Sequence, residues 1–364
     1  AAHRFILRHG RLHEVQGPPK FLLSSLLSLS GRARLLCEPF IPGKRDSTPE
    51  SIWNFAARRI GREAADTLVS PMVSGIFGGD ARQLSLEHCF PRMAAMERQY
   101  GGLYKALRAK RRENPGASPM GPSGTLTCFP RGIQQLCDTA AAQLGDRLRC
   151  NTPVTAVHEE NGQFRIELNN GEAFLTKKLL VAAPAYAAAQ FLAPLDEALA
   201  QTLGTIPYAS IAVLCTAHGR SQVAHPLNGF GFLAPRVEGV RTLGCLWTSS
   251  IFPQQAPLGK VLLRTMIGGA TDPAAVNLSE AELLDLLQRE IGPLLGITGQ
   301  PELIRVFRWQ RGIPQYDLQH GPRLDALAAA QHRHPNLALA GNAYHGVGLN
   351  DCVLSAHAAV ERLT

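Results

Sequence analysis

Apolar and polar positions recur with two different periods along this chain, and the change of period divides it. Ile52, Trp53, Ala56 and Ile60 fall at three- and four-residue spacing, which predicts an amphipathic helix. Thr48, Pro49 and Glu50 ahead of them supply a cap, a pre-set first-turn proline and a carboxylate for the helix dipole. Before that, Phe21, Leu22, Leu23, Leu26, Leu27 and Leu29 form an apolar stretch ended by a basic turn, Gly31 to Arg34, and Pro39, Pro42 and Gly43 then interrupt the chain. The region from about Pro18 to Arg112 therefore reads as helical. It closes on Lys105, Arg108, Lys110, Arg111 and Arg112, and the Pro/Gly/Ser-rich stretch from Asn114 to Gly124 reads as a linker.

From Asn151 the period is two. Val154, Ala156 and Val157 run to the turn pair Asn161-Gly162, and Phe164, Ile166 and Leu168 run to Asn170-Gly171, which predicts a β-meander. Its third strand is expected to end in the apolar run Leu179 to Ala183, stopped by Pro184 and buried on both faces. Ser279 and Glu282 form a capping box for a helix carrying Leu283, Leu284, Leu287 and Ile291. Near the end, Asn336 to Ala340 is a short apolar strand, Gly341 to Leu349 is glycine-rich, and Asp351 to Leu363 is helical. Strand, glycine loop and helix in succession make a phosphate- or cofactor-binding geometry, because the unpaired N–H groups of the helix start carry partial positive charge.

At roughly 150 residues per domain, 364 residues suggest two or three domains. With 45% hydrophobic and 18% charged residues the chain is a folded globular protein, which excludes disordered, collagenous and coiled-coil classes. The uncharged run Ala198 to Gly219 is long enough to cross a bilayer, but Gln201, Thr202, Thr205, Pro207, Ser210 and His218 interrupt it, so no membrane span is expected. No secretory signal pattern opens the chain, and Ala1 is not an initiator methionine, so the natural beginning is expected upstream. A net charge of +8 suits an anionic partner: nucleic acid, membrane surface or acidic substrate. The eight cysteines contain no C-x-x-C pair, which argues against a metal site and reads as reduced thiols buried as small hydrophobes.

The strongest chemical signal is the block Gly341-Asn342-Ala343-Tyr344-His345-Gly346-Val347-Gly348-Leu349-Asn350-Asp351-Cys352. Its glycine spacing alone fits either a cofactor loop or an ordinary tight turn. Five further blocks precede it: Arg4-Phe5-Ile6-Leu7-Arg8-His9-Gly10, Glu38-Pro39-Phe40, Gly75-Ile76-Phe77-Gly78-Gly79-Asp80, Gly229-Phe230-Gly231-Phe232-Leu233 and Ile313-Pro314-Gln315-Tyr316. In this order they resemble the oxygen-dependent protoporphyrinogen oxidase family of the monoamine oxidase superfamily. That resemblance implies an α+β flavoprotein fold: an α/β FAD-binding part, a substrate domain on an antiparallel sheet, and a helical domain that docks on a membrane surface. The implied division is a substrate-domain strand in 1–20, the helical domain in 21–112, an FAD-domain segment with the meander in 125–190, the substrate domain in 191–330 and a last FAD-domain segment in 331–364.

The resemblance also implies roles. Arg4 matches an arginine that pairs with a substrate propionate, Leu233, Leu246 and Met266 match apolar residues that clamp tetrapyrrole rings, and Gly75 matches a glycine facing the macrocycle. For FAD, Val154 resembles a strand residue whose backbone pairs with adenine, Trp309 lies where the family lines the flavin, and Val347, Gly348 and Leu349 open the last helix. The implied reaction is the six-electron oxidation of protoporphyrinogen IX to protoporphyrin IX in haem biosynthesis, with oxygen as acceptor and hydrogen peroxide as product; no catalytic acid or base is assigned. Coproporphyrinogen III as substrate, a different flavin amine oxidase or desaturase, and an inactive porphyrin-binding fragment are the alternatives. A cytoplasmic protein lying on the inner membrane face, with no nucleic-acid partner and room for a homodimer, completes the expectation. One departure stands out: no G-x-G-x-x-G occurs in these residues, so FAD binding by them alone is expected to be weak.

Overall fold

The computed structural model describes residues 3–16, 24–46, 48–113 and 127–364; the expected apolar positions Phe21, Leu22 and Leu23 and the linker of 114–124 lie outside them. The strands are β1 (His3–Arg8), β2 (Arg11–Glu14), β3 (Val154–Glu160), β4 (Gln163–Leu168), β5 (Ala173–Thr176), β6 (Leu179–Val181), β7 (Tyr208–Gly219), β8 (Gly229–Leu233), β9 (Thr242–Trp247), β10 (Lys260–Gly268), β11 (Leu303–Pro314) and β12 (Leu337–Leu339). The longer helices are α1 (Leu29–Leu36), α2 (Ile52–Ile60), α3 (Ser70–Phe77), α4 (Pro91–Tyr100), α5 (Leu103–Glu113), α6 (Gln134–Leu144), α7 (Ala185–Leu192), α8 (Glu197–Gly204), α9 (Glu280–Glu290), α10 (His320–Arg333) and α11 (Leu349–Leu363). The chain divides into two compact units, one of residues 1–124 and 208–313, the other of residues 125–207 and 314–364.

The first unit is built on a seven-stranded sheet in the order β11-β7-β10-β9-β8-β1-β2. β7, β10, β9 and β8 form antiparallel ladders, and β1 joins β8 in parallel. Alternation gives the sheet two faces. Leu7, Ala212, Leu214, Phe232, Cys245, Trp247, Leu263 and Ile267 point to one of them, where Leu283, Leu286 and Leu287 of α9 close a dry core. Trp247 is fully buried there, its ring 5.2 Å from Phe5 and 4.7 Å from His225. The capping box of α9 forms as its residues dictate: Ser279 N donates to Glu282 at 2.7 Å and Glu282 N to Ser279 Oγ at 3.2 Å.

Two helix boundaries differ from the sequence reading. Gly31 to Arg34 is not a turn but lies inside α1, whose cap Ser28 accepts from Gly31 N at 3.0 Å; the Glu63 carboxylate packs where a Gly31 Cβ would stand, so the glycine serves packing rather than chain reversal. The cap of α2 is Ser51, which accepts from Asn54 N at 3.1 Å, while the Thr48 hydroxyl is taken by Asp46. Glu50 instead makes a two-pronged pair with Arg58 at 3.0 and 2.9 Å, and Arg58 reaches Glu97 at 2.8 Å. Beside them Arg59 is completely buried against Glu38, which also accepts from Leu103 N and Tyr104 N and so caps α5.

In the second unit the meander is β3-β4-β5, so its third strand is Ala173–Thr176. The apolar run the sequence placed there forms β6, which pairs in parallel with β12 in a separate sheet, Leu179 opposite Leu337 and Val181 opposite Leu339. α6 buries none of its residues and α11 buries only Ala359. The uncharged run Ala198 to Gly219 is divided between α8 and β7, and no helix of the described residues is long and apolar enough to cross a membrane. All eight cysteines are free, but only Cys245 is buried; Cys37, Cys137 and Cys150 are exposed, which corrects the expectation of buried thiols.

Candidate functional site

The second face of the large sheet carries the expected substrate residues. Arg4, Gly231, Leu246, Arg264 and Cys215 stand opposite one another across β1, β8, β9, β10 and β7, and the next row is Ile6, Leu233, Gly244, Met266 and Val213. Paired residues share a face, so the sheet brings Arg4, Leu233, Leu246 and Met266 together on the side opposite the dry core. Leu233, Leu246 and Met266 are half-buried, and Arg4 is exposed with its guanidinium 5.9 Å from the Phe230 ring. Neither row contains a carboxylate or a histidine.

Gly75 joins this set through α3, which packs over β8 and β9. A Cβ on Gly75 would stand 2.7 Å from Leu233 Cδ2, and one on Gly244 would stand 3.2 Å from the same methyl, so Leu233 lies between two bare backbones. Gly231 is required for a different reason: its φ of 134° and the Cys245 carbonyl 2.1 Å from its Cβ position exclude a side chain. The C-terminus of α3 is fixed by Gly78, left-handed at φ 57°, whose carbonyl accepts from Ala270 N at 2.7 Å. Close by, Arg236 donates to the Gly268 carbonyl at 3.0 Å, and burial lowers the pKa of its guanidinium.

Trp309 lies on β11, at the edge of the same sheet and in the first unit. Ile304 and Val306 of that strand pack on the dry core, so the alternating Phe307 and Trp309 fall on the ligand-facing side, where they are 51% and 55% exposed. The structure thus groups Trp309 with the substrate residues in one unit. His218 and Cys245 face the dry core instead; burial lowers the His218 pKa and pushes the Cys245 thiol up to about 12, so both are neutral there near pH 7.

The remaining cofactor candidates belong to the second unit. β3 is an edge strand of the meander, and among the described residues Val154 pairs with Leu168 on its inner side. Gly341 follows the end of β12 with φ 124°, nothing within 4 Å of its Cβ position, and its N–H donated to Ser355 Oγ at 3.0 Å. Ligands of parallel sheets gather at such strand ends. Val347 is half-buried, while Gly348 and Leu349 at the head of α11 are exposed. Asp351 accepts from Gly348 N at 3.1 Å and packs against Gly346, so a carboxylate already sits where a phosphate would approach. The first-turn amides of Leu349 and Asn350, which have no intrahelical acceptor, suit a neutral carbonyl oxygen better than a second anion.

Tyr316 entered the sequence reading only within a resembling block, without a role, and His320 not at all; these two residues hold this loop in place. His320 is fully buried and stacks on Tyr316 with ring centroids 4.2 Å apart. Its Nε2 lies 2.9 Å from the Tyr344 carbonyl, which places the proton on Nε2, and the Tyr316 hydroxyl donates to the Asn342 carbonyl at 2.5 Å. No local pattern marks them: His320 opens α10, Tyr316 precedes that helix, and the glycine block begins only at Gly341. Arg264 was passed over as well, because its neighbours are fixed by strand register.

Comparison with known proteins places the family and the fold. Residues 1–364 match the family described as flavin containing amine oxidoreductase. A coproporphyrinogen III oxidase of Bacillus subtilis is 31% identical over 349 residues, covering 93% of this chain and 73% of that protein. A chloroplastic protoporphyrinogen oxidase of Nicotiana tabacum is 29% identical over 391 residues, covering 100% and 71% respectively. Among solved structures, a chain from Exiguobacterium sp. 255-15, provisionally assigned as a protoporphyrinogen oxidase, superimposes with a TM-score of 0.83 at 24% identity, covering 99% of this chain and 79% of that one. Reduced UDP-galactopyranose mutase follows with a TM-score of 0.70 at 14% identity, covering 100% of this chain and 77% of that one.

Proposed function

The chain belongs to the flavin-containing amine oxidoreductase family, and from that premise we propose that it is an FAD-dependent oxidase of a porphyrinogen, converting protoporphyrinogen IX to protoporphyrin IX with oxygen as acceptor. The observation that carries this reading is the ligand-facing side of the large sheet. Leu233, Leu246 and Met266 form an apolar strip there, Gly75 packs against Leu233, and Arg4 ends the strip. An apolar tetrapyrrole macrocycle with carboxylate arms is the ligand such a surface complements: the strip excludes water from the ring, and the Arg4 guanidinium takes a propionate.

FAD, when bound, supplies the two-electron acceptor that oxygen restores with release of hydrogen peroxide, used three times for the six-electron oxidation. The residues of the second unit fit it. The outer edge of β3 at Val154 presents backbone groups to a planar base, and the amides of Leu349 and Asn350 suit a flavin carbonyl, while Tyr316 and His320 keep their loop in place. The chain's own part is to bind and orient the macrocycle and to keep water from it. Oxidation of coproporphyrinogen III is the second reading, favoured by Arg264, a further cation on the same face.

The rest of the reading concerns the helical part of the first unit. Leu29, Leu36, Phe40 and Tyr104 are 79%, 58%, 85% and 57% exposed, and Lys105, Arg108, Arg111 and Arg112 of α5 add positive charge, which suits peripheral attachment to an anionic inner membrane face. Arg32 and Arg34 do not contribute: their guanidinium groups donate to the Leu27 and the Arg58 and Arg59 carbonyls.

The flavin-loaded protein, given protoporphyrinogen IX in air, is expected to generate porphyrin fluorescence with oxygen uptake, and Arg4→Ala to raise the apparent KM about ten- to a hundredfold through loss of one charge-assisted pair. No turnover by the parent overturns the reading. Unchanged kinetics in Arg4→Ala overturns the role of Arg4.

A further inference from the structure

We propose that Arg264 is a specificity-determining residue that binds a second substrate carboxylate, on the ring opposite the one whose carboxylate Arg4 holds. The inference rests on the porphyrinogen reading and sharpens its substrate class. Arg4 and Arg264 occupy one cross-strand row, Arg4–Gly231–Leu246–Arg264, on one face of the sheet. Three strand intervals of about 4.8 Å place their backbones about 14 Å apart. That separation matches the width of a tetrapyrrole with its carboxylate arms. Between the two cations lie a glycine without a side chain and Leu246, with Leu233, Gly244 and Met266 in the adjoining row, a floor that is apolar from one arginine to the other.

An exposed arginine on a strand is ordinarily a solvated charge. The surroundings of Arg264 argue for more. It stands on β10, flanked by β7 and β9, not on an edge strand. Its cross-strand neighbours are Leu246 and Cys215, and its neighbours two residues along the strand are Leu262 and Met266, so it is a single cation among apolar side chains. Among the described residues it forms no ion pair, whereas Lys260 on the same face pairs with Glu302 at 2.6 Å and Arg241 with Asp272 at 2.8 Å. An unpaired guanidinium at one end of an apolar strip, with another at the far end, is complementary to a macrocycle with acidic groups on opposite rings. A tetrapyrrole bearing propionates on all four rings satisfies both arginines. One with propionates on two adjacent rings satisfies Arg4 and leaves Arg264 to solvent.

The test measures binding of the stable oxidised porphyrins, coproporphyrin III and protoporphyrin IX, by fluorescence titration of the parent, Arg264→Ala, Arg264→Lys and Arg4→Ala at one fixed salt concentration, with melting temperatures as a check on folding. Arg264→Ala is expected to weaken coproporphyrin III roughly tenfold, the effect of one charge-assisted pair, and to leave protoporphyrin IX within about twofold. Arg264→Lys should recover part of the loss, and Arg4→Ala should weaken both ligands. Equal weakening of both by Arg264→Ala, or no weakening of coproporphyrin III, overturns the role of Arg264 and leaves the porphyrinogen reading standing. Failure of the parent to bind either porphyrin overturns that reading, and this inference with it.

Discussion

Gly75→Ala tests whether the helix over the sheet and the apolar strip act as one packed surface. The added methyl would stand 2.7 Å from Leu233 Cδ2, against an ordinary contact of about 3.5 to 4 Å, so one of the two must give by roughly an ångström. The helix cannot easily yield, because the Gly78 carbonyl is tied to Ala270 N and a Cβ on Gly269 would strike Gly78. Leu233 in turn lies over Gly244, its same methyl 3.2 Å from the position a Cβ would take there. Replacing glycine inside a helix gains about 0.5 to 1 kcal/mol, and overpacking costs about 1 to 3 kcal/mol, so the net destabilisation is about 0 to 2.5 kcal/mol. The larger effect falls on the ligand, because the open direction for Leu233 is outward over the strip. Urea denaturation and porphyrin titration of Gly75→Ala, Leu233→Ala and the double variant check this. The clash vanishes when Leu233 is an alanine, so a favourable coupling of about 1 to 3 kcal/mol in stability is expected between the two sites, together with weaker porphyrin binding in Gly75→Ala alone. Additive stabilities would refute the packing argument, and unchanged porphyrin affinity in Gly75→Ala would show that this part of the strip does not meet the ring.

Two further outcomes concern the helical part of the first unit. Flotation with anionic vesicles should capture the protein at low salt and release part of it at high salt. Leu36→Ser with Phe40→Ser should remove most of the salt-resistant fraction, since each apolar side chain contributes about 1.5 to 3 kcal/mol when buried; no capture under any condition refutes the docking surface. Burial raises the pKa of Glu38, but hydrogen bonds from Arg59, Tyr104 N and Leu103 N outweigh it and hold the carboxyl below its ordinary value. Its stabilising contribution is therefore complete above about pH 4.3 and is lost as the pH falls through the depressed folded value. Glu38→Gln should flatten this acid limb and cost about 3 kcal/mol, the low end for breaking a buried pair, because Glu97 still lies 3.3 Å from Arg59; an unchanged acid limb in chemical denaturation refutes the assignment.

The capping box at Ser279 and Glu282 was legible because both partners lie within one turn, and the meander turns were legible for the same reason. Thr48 and Ser51 are equally plausible caps by residue type, and what separates them is that Asp46 already holds the Thr48 hydroxyl. Continuous apolarity in Leu179 to Ala183 identified a strand, of which Leu179 to Val181 forms and only Val181 is buried, but it carried no information on the sheet, because the partner Leu337 to Leu339 is remote in sequence. The apolar residues Leu233, Leu246 and Met266 were found through their resemblance to a family. Arg264 was missed because its meaning lies not in its own strand, where only Thr265 separates it from Met266, but in the strands beside it, where register places Leu246 on one side and Cys215 on the other.

That register also explains why the sheet can leave an apolar strip uncovered without its own side chains filling it. The fully buried face, with Trp247, Leu263 and Ile267 under α9, supplies the dry core on which the strands are held. The ligand-facing side is then free to carry glycines at two of its central positions, which a sheet relying on both faces for stability could not tolerate at about 0.5 to 1 kcal/mol each. Gly231 must lack a side chain so that β8 can approach the Cys245 carbonyl, and Gly244 makes room for Leu233. The result is a floor flat enough for a planar ring, with Leu246 and Met266 rising from it and an arginine at either end of one row. Where a strand's burial alternates between a dry core and a half-exposed apolar strip, the charges on the strip are the groups open to a ligand, and the porphyrinogen reading proposed above assigns that part to Arg4 and Arg264.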